Sequence, residues 1–217
     1  MDLKRDGYCW DEIPVDRLSK ITKECDRILK GSSKGFGIRG AVRQSADLAM
    51  FADQALVPIA QKYLGVNAFL VRSILFDKLL DANWAVPWHQ DVTIEVLEKQ
   101  EVEGFGPWSI KDGVVSVQPP TSILENMITL RLHFDDTDDS NGALIVDPGS
   151  HLNGKKHIQD IRPSGPVILD CRAGNVLVMK PLLYHASNRS TSGNPRRVLH
   201  LDFASTPLPR PLTWKRA

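Results

Sequence analysis

The feature that most constrains the fold is a succession of short β-prone segments between residues 67 and 206. Gly, Pro, Asn and Asp separate these segments, and no helical crossover lies between them. In the segment ITLRLHFDD, apolar Ile128, Leu130 and Leu132 alternate with polar residues, which is the spacing of a half-buried strand. A series of this kind favours a sandwich or barrel over a parallel βαβ sheet.

The N-terminal third has a different pattern. Apolar residues at helical spacing predict one helix over residues 14–29, and a second helix that begins after Ser45 and is kinked or split at Pro58. Residues 1–66 are therefore expected to form a helical support for the β-rich part.

Two further segments differ from both patterns. Residues 97–125 are long and polar, which predicts a loop that acts as a lid or a substrate wall. Residues 207–217 are proline-rich and are expected to form a surface tail. We therefore expect a single domain over residues 1–217, mainly β with a helical annex, whose barrel core spans residues 67–206.

The composition fits one globular domain, because 42% of the 217 residues are hydrophobic and 24% are charged. The net charge is +1, from 27 basic and 26 acidic residues, so no broad field attracts nucleic acid. The chain has neither an apolar leader nor an apolar run that could span a bilayer. We expect a cytoplasmic protein with a small-molecule substrate and no membrane partner, as a monomer or weak homodimer.

The segment PWHQDVT contains the first pair of candidate metal ligands. Only one residue separates His89 from Asp91. Positions i and i+2 of a strand point to the same face, so this imidazole and this carboxylate could converge on one ion. An isolated H-x-D pair is common by chance, and taken alone it is more often part of a surface turn than of a metal site.

A second segment, PLLYHASNRSTSGNPRRVLHLDF, supports the metal hypothesis. It supplies another imidazole at His185, and two histidines with one carboxylate are the ligand set of non-haem iron(II) oxygenases. Arg196 follows eleven residues later and could pair with the distal carboxylate of a bound diacid. Arg197 has the opposite strand parity and should face away, whereas Ser187 shares the face of His185 and could donate to the same acid.

Together, HQD, NGALIVDPGSH and the H-A-S-N…P-R stretch resemble the phytanoyl-CoA dioxygenase family, including its bacterial ectoine hydroxylase relatives, over about two-thirds of the chain. The resemblance implies a double-stranded β-helix, a jelly-roll or cupin-like barrel flanked by N-terminal helices. It also implies iron(II), 2-oxoglutarate and O2, with ascorbate as an added reductant. By this resemblance the metal ligands and catalytic residues are His89, Asp91 and His185. Arg196 and Ser187 would then bind 2-oxoglutarate.

The resemblance also bears on the reaction. Halogenating members of the family have a small residue in place of the metal carboxylate, so Asp91 favours hydroxylation of a small organic substrate, with release of succinate and CO2. Two alternatives stay open. One is a cupin-type metalloenzyme that does not use 2-oxoglutarate and has no need of Arg196. The other is a non-catalytic barrel that serves as a binding or sensor module.

Other residues could line the same barrel. Arg131 and His133 lie on the polar face of ITLRLHFDD and could touch substrate or co-substrate, or be structural side chains with satisfied hydrogen bonds. Lys78 could reach the 2-oxoglutarate pocket, or be a solvated lysine. Trp84 and Trp108 could form a hydrophobic substrate wall, or pack in the core. No role is predicted for the other histidines, His151, His157 and His200.

Overall fold

The computed structural model describes residues 1–31, 37–78 and 83–216. Within these ranges the strands are β1 Tyr8–Glu12, β2 Ile38–Arg39, β3 Phe69–Asp77, β4 Val86–His89, β5 Ile94–Val96, β6 Trp108–Lys111, β7 Val114–Val117, β8 Met127–His133, β9 Leu144–Val146, β10 Val167–Leu169, β11 Asn175–Met179, β12 His185–Ser187 and β13 Arg197–Ala204. The α-helices are α1 Leu18–Lys30, α2 Ala46–Phe51, α3 Val57–Leu64 and α4 Thr121–Glu125.

The strands form three antiparallel sheets. A major sheet has the order β1-β11-β8-β13-β3-β2, a minor sheet has the order β10-β9-β12-β4, and a small third sheet has the order β5-β7-β6. Side chains from the major and minor sheets line one cavity, which therefore lies between the two sheets. The architecture is the expected one, mainly β with a double-stranded β-helix core and flanking helices.

The alternation of β8 gives the major sheet one apolar and one polar face. Ile128, Leu130 and Leu132 are fully buried against the N-terminal helices, in a cluster that includes Leu18 of α1 and Leu48 of α2. The residues between them face the minor sheet. The hydrophobic effect thus fixes which side of β8 carries polar groups into the molecule, because a shift of one residue would exchange the two faces.

The helical part follows the sequence pattern closely. The hydroxyl of Ser45 accepts a hydrogen bond from the Leu48 backbone N–H at 3.2 Å and caps α2. A wide π turn over Ala52–Leu56 joins α2 to α3, and Pro58 lies in the first turn of α3, where a missing N–H costs nothing. The expected kink or split near Pro58 is therefore present.

Three segments differ from the expected pattern. The N-terminal part also contains β1, which adds an edge strand to the major sheet by pairing with β11. Residues 97–125 contain the hairpin β6–β7 and helix α4. Asp112 and Gly113 turn this hairpin with positive φ angles of 53° and 73°, the conformation that an Asp-Gly pair tolerates. The C-terminal segment packs inward, and buried Trp214 forms a bridge with Val96.

No helix in the described part of the chain is long and apolar enough to cross a membrane.

Candidate metal and co-substrate site

Adjacent strands place two imidazoles side by side. His89 ends β4 and His185 begins β12; the two are register partners, with ring centroids 4.1 Å apart. Asp91 lies two residues beyond β4, where its backbone N–H donates to Pro181 O at 2.9 Å. The ligand atoms of His89, Asp91 and His185 lie within 4.8 Å of one another. The three predicted ligands therefore converge, although Asp91 lies outside the strand that the i, i+2 argument assumed.

The backbone orients both imidazoles. His89 Nδ1 is 2.9 Å from Pro87 O, and His185 Nδ1 is 2.8 Å from Leu183 O. Because a carbonyl oxygen can only accept, each Nδ1 carries the hydrogen and each Nε2 keeps a free lone pair. Metal-binding histidines commonly have this arrangement, in which the nitrogen remote from the metal donates to a carbonyl.

Charges around the cluster favour the metal-binding protonation states. Burial alone would raise the pKa of Asp91, but the neighbouring His185 and His200 hold that pKa below its ordinary value. Burial, followed by the charge of His89, lowers the pKa of His185 to about 3. Oδ2 of Asp91 is buried without a hydrogen-bond partner among the described residues and lies 3.7 Å from Nε2 of His185. An ionised carboxylate at Asp91 and a neutral imidazole at His185 fit a divalent cation such as iron(II).

A buried guanidinium lies in the same cavity. Arg196 immediately precedes β13 and is 3% exposed, and its Nε and Nη1 atoms have no hydrogen-bond partner among the described residues. Burial, followed by the charge of Arg131, lowers the pKa of Arg196 to about 9. An unpaired buried guanidinium is costly, so its position indicates that a bound anion completes it. Arg197 faces away as expected and pairs with Asp135 and Asp26.

Lys78 lies beside this guanidinium and is fully buried. Its Nζ donates to Asn188 O at 2.6 Å and to Ser187 Oγ at 3.3 Å, and it lies 5.4 Å from the ring centroid of Trp84. Burial, followed by the positive charges of Arg196 and Arg131, lowers the pKa of Lys78 to about 7. Lys78 is thus a buried side chain held against Ser187, in contrast to the solvated lysine of the alternative reading.

The cavity has a volume of about 100 Å³ and is lined by residues of both sheets. Trp84 is among its lining residues, as the prediction of a hydrophobic wall requires. Trp108 instead packs against a separate apolar cluster that includes Val96 and Leu212. His133 is buried and is not among the described cavity-lining residues. Its Nδ1 lies 3.3 Å from Thr137 Oγ1, but its Nε2 has no hydrogen-bond partner among the described residues, so the alternative of a structural histidine with satisfied hydrogen bonds is only half met.

Sequence reasoning missed a buried network next to the metal ligands. His200 and Asp202 lie on β13 at the parity of the cavity-facing side, and His200 Nε2 is 4.0 Å from Asp91 Oδ2. Asp202 accepts hydrogen bonds from Arg72 and from Thr129 Oγ1. The even spacing from Arg196 to His200 and Asp202 was the available signal.

Gln90 was also missed. Its side-chain amide donates to Leu182 O at 2.7 Å and to Gly154 O at 2.9 Å, and its oxygen accepts from the Lys156 N–H at 2.8 Å. Gln90 therefore ties the metal-ligand segment to two neighbouring loops. Of the histidines without a predicted role, His151 lies 3.1 Å from Lys4 O and His157 is exposed.

A cluster of two histidines and one carboxylate, set between two antiparallel sheets beside an unpaired guanidinium, is characteristic of a non-haem iron protein of the double-stranded β-helix class. The family described as phytanoyl-CoA dioxygenase (PhyH) matches residues 3–198, and the chain belongs to this family. The family resemblance carried by the sequence motifs is therefore confirmed.

Individual relatives are more distant. Uncharacterized protein Rv1501 of Mycobacterium tuberculosis and its Mycobacterium bovis counterpart Mb1539 are each 32% identical over 76 residues, which is 35% of this chain. The match spans only 28% of the length of these curated relatives.

Solved structures share the fold over nearly the whole chain. The non-haem α-ketoglutarate-dependent carbocyclase SnoK from nogalamycin biosynthesis has a TM-score of 0.72 at 15% identity, covering 98% of this chain and 83% of that one. EctD from S. alaskensis has a TM-score of 0.72 at 21% identity, covering 96% and 77%. Structures of EctD with bound iron, and with 2-oxoglutarate and 5-hydroxyectoine, also match.

Proposed function

We propose that this protein is an iron(II)- and 2-oxoglutarate-dependent dioxygenase that hydroxylates a small organic substrate, with release of succinate and CO2. The observation that carries the proposal is the combination of two unlike sites in one cavity. One is a converging pair of Nε2 lone pairs with an unpartnered Asp91 oxygen. The other is the buried guanidinium of Arg196, whose Nε and Nη1 atoms have no hydrogen-bond partner among the described residues.

The first site would hold the metal through His89, Asp91 and His185. Bound iron(II), with 2-oxoglutarate and O2, supplies the oxidising chemistry of this enzyme class. The chain supplies geometry. The carbonyls of Pro87 and Leu183 fix the imidazole orientation; His185 is buried, whereas His89 and Asp91 are partly buried.

The second site would hold the distal carboxylate of 2-oxoglutarate. Arg196 offers a planar pair of donors and stays charged, because even its lowered pKa of about 9 lies above neutral pH. Ser187 lines the cavity and would add a donor to the same carboxylate. Lys78 is not among the described lining residues; it donates to Ser187 Oγ and would hold this hydroxyl in place. Two opposed anchoring sites would orient a diacid in one direction only.

Two observations separate this proposal from its alternatives. A metalloenzyme without 2-oxoglutarate has no use for an unpaired Arg196, and a lapsed binding module has no need for two oriented Nε2 atoms beside Asp91. The presence of Asp91 also favours hydroxylation over halogenation. The structural neighbours include a carbocyclase and an epimerase, so another oxidative outcome is the second candidate for the reaction.

The test is formation of succinate from 2-oxoglutarate, with iron(II), ascorbate and O2. Substrate-independent turnover of the co-substrate is the readout, so no substrate needs to be known. We expect slow succinate formation that is abolished by His185→Ala and kept by His157→Ala, a matched change at an exposed histidine. A folded, iron-loaded protein that neither binds nor consumes 2-oxoglutarate would contradict the proposal. The cytoplasmic location and the oligomeric state stay predictions.

A further inference from the structure

The cavity holds more positive charge than one distal carboxylate requires. Arg131 and Arg196 both line it, and Asp91 is the single carboxylate among its described lining residues. The negative charge of Asp91 would balance the positive charge of one guanidinium. The two negative charges of 2-oxoglutarate would balance the two positive charges of a divalent ion. One guanidinium then stays unmatched within the described part of the site.

Arg131 is the guanidinium without an assigned partner. It is 6% exposed, and its Nε has no hydrogen-bond partner among residues 1–31, 37–78 and 83–216. No carboxylate in these ranges forms an ion pair with it, and the charges of Asp91 and Asp202 act on it from a greater distance. A buried guanidinium in this state indicates an anion that the chain does not supply.

A neighbouring imidazole fixes the direction of this guanidinium. Arg131 on β8 and His200 on β13 are register partners, and Arg131 Nη1 lies 3.1 Å from His200 Nδ1. A guanidinium can only donate, so Nδ1 is the acceptor and the imidazole hydrogen lies on Nε2. That hydrogen points to Asp202 Oδ1 at 3.1 Å. Asp202 is itself held by Arg72 and Thr129.

This chain of contacts leaves His200 one arrangement. Moving the hydrogen to Nδ1 would set an N–H against the Arg131 donor, and turning the ring over would put carbon atoms at both positions. Either change would leave Asp202 without this partner. His200 is therefore a rigid acceptor that holds one edge of the guanidinium and leaves Nε free.

We propose that Arg131 is a second carboxylate-binding group of the cavity and that His200 is the positioning residue that aims it. The proposal rests on the proposed function, since it assumes that the cavity binds 2-oxoglutarate. The carboxylate has two sources: the keto-acid end of 2-oxoglutarate, or an acidic group on the substrate. The charge count favours the second source, so we infer that the substrate is a small organic acid.

The first experiment compares keto acids in anaerobic titrations of the iron(II)-loaded protein. The probes are 2-oxoglutarate and 2-oxopentanoate, which keeps the keto-acid end and lacks the distal carboxylate. If Arg131 binds the keto-acid end, Arg131→Met weakens both probes about 10- to 100-fold, the range for loss of a charge-assisted hydrogen bond. Arg189→Met, a change at an exposed arginine, is the matched control and should leave both affinities unchanged.

The second experiment tests the substrate source. Butyrate is titrated by calorimetry into protein saturated with iron(II) and 2-oxoglutarate under argon. If Arg131 binds a substrate carboxylate, butyrate binds the unmodified protein and loses at least 10-fold in affinity in Arg131→Met, while both keto acids keep theirs. Unchanged keto-acid affinity, together with butyrate binding that is absent or equal in the two proteins, overturns the proposal.

The role of His200 is tested by two substitutions. The readout is the affinity, for the keto acids or for butyrate, that Arg131→Met lowers. Asn can place an oxygen near the position of Nδ1, so His200→Asn should keep this affinity within about 3-fold. His200→Leu has no acceptor and should lower it as Arg131→Met does. Equal effects of Asn and Leu would remove the positioning role.

Folding and the proposed function are monitored separately. Iron(II) affinity and the thermal midpoint show whether each variant is folded. If the unmodified protein binds neither keto acid, the proposed function fails. If it binds them and Arg131→Met does so equally, with no difference towards butyrate, only the present inference fails.

Discussion

Replacing Arg196 should remove the preference of the protein for a keto acid that carries a distal carboxylate. Arg196 has two buried donors, Nε and Nη1, without partners among the described residues. A hydrogen bond to a charged group contributes about 1.5–3 kcal/mol. Two such bonds, lost while the carboxylate stays buried, would cost roughly 3–5 kcal/mol, which is about two to three and a half orders of magnitude in affinity. The hydroxyl of Ser187, which lines the same cavity, would keep part of the contact, so we expect the lower end, about 100-fold.

The assay is an anaerobic titration of iron(II)-loaded Arg196→Met with 2-oxoglutarate and 2-oxopentanoate. The unmodified protein should prefer 2-oxoglutarate strongly, because only this acid has a carboxylate that reaches Arg196. In the variant the preference should nearly vanish, while the affinity for 2-oxopentanoate is kept. Arg189→Met is again the control at an exposed position. A variant that is folded, binds iron(II) and still prefers 2-oxoglutarate by 100-fold would refute the assignment of Arg196.

Three further predictions concern the metal, the acid response and the core. His89→Ala should lose iron(II), measured by metal analysis after gel filtration, whereas His157→Ala should keep it. Burial holds the pKa of His133 well below its ordinary value, so folding keeps this imidazole neutral. Stability of the metal-free protein should therefore fall as pH drops below about 6.5, and His133→Gln should flatten this dependence in urea unfolding. Leu130→Ala should lower the free energy of unfolding by about 2–5 kcal/mol, whereas a loss below about 1 kcal/mol would contradict its central place in the core.

Local patterns in the sequence were sufficient for the β-rich and helical parts of the fold and for the convergence of the three candidate metal ligands. The alternation through Ile128, Leu130 and Leu132 predicted a strand with one buried apolar face, and that face packs against the helices, because burial of apolar side chains permits only one register. His89 and His185 could be paired because two histidines and a carboxylate match one coordination chemistry. In the first case burial of apolar side chains, and in the second case metal coordination, leaves few alternatives.

Contacts between distant strands could not be predicted in this way. The bond from Arg131 to His200 depends on the register between β8 and β13, and no local pattern encodes this register. The same is true of β1, whose five residues give no sign that they pair with β11. The hairpin at Asp112–Gly113 differs, because an Asp-Gly pair is typical of a two-residue hairpin turn. This local pattern could have predicted the hairpin within a segment whose polarity predicts a loop.

The His89 and His185 rings each donate a hydrogen bond to a carbonyl two residues earlier in the chain. These hydrogen bonds have a consequence for metal uptake. Each ring is held by the backbone two residues before it, so neither has to choose among rotamers when an ion arrives. The metal-free protein should thus already resemble the loaded one around these rings, and removing the ion with a chelator should leave a folded chain that is ready to be reloaded.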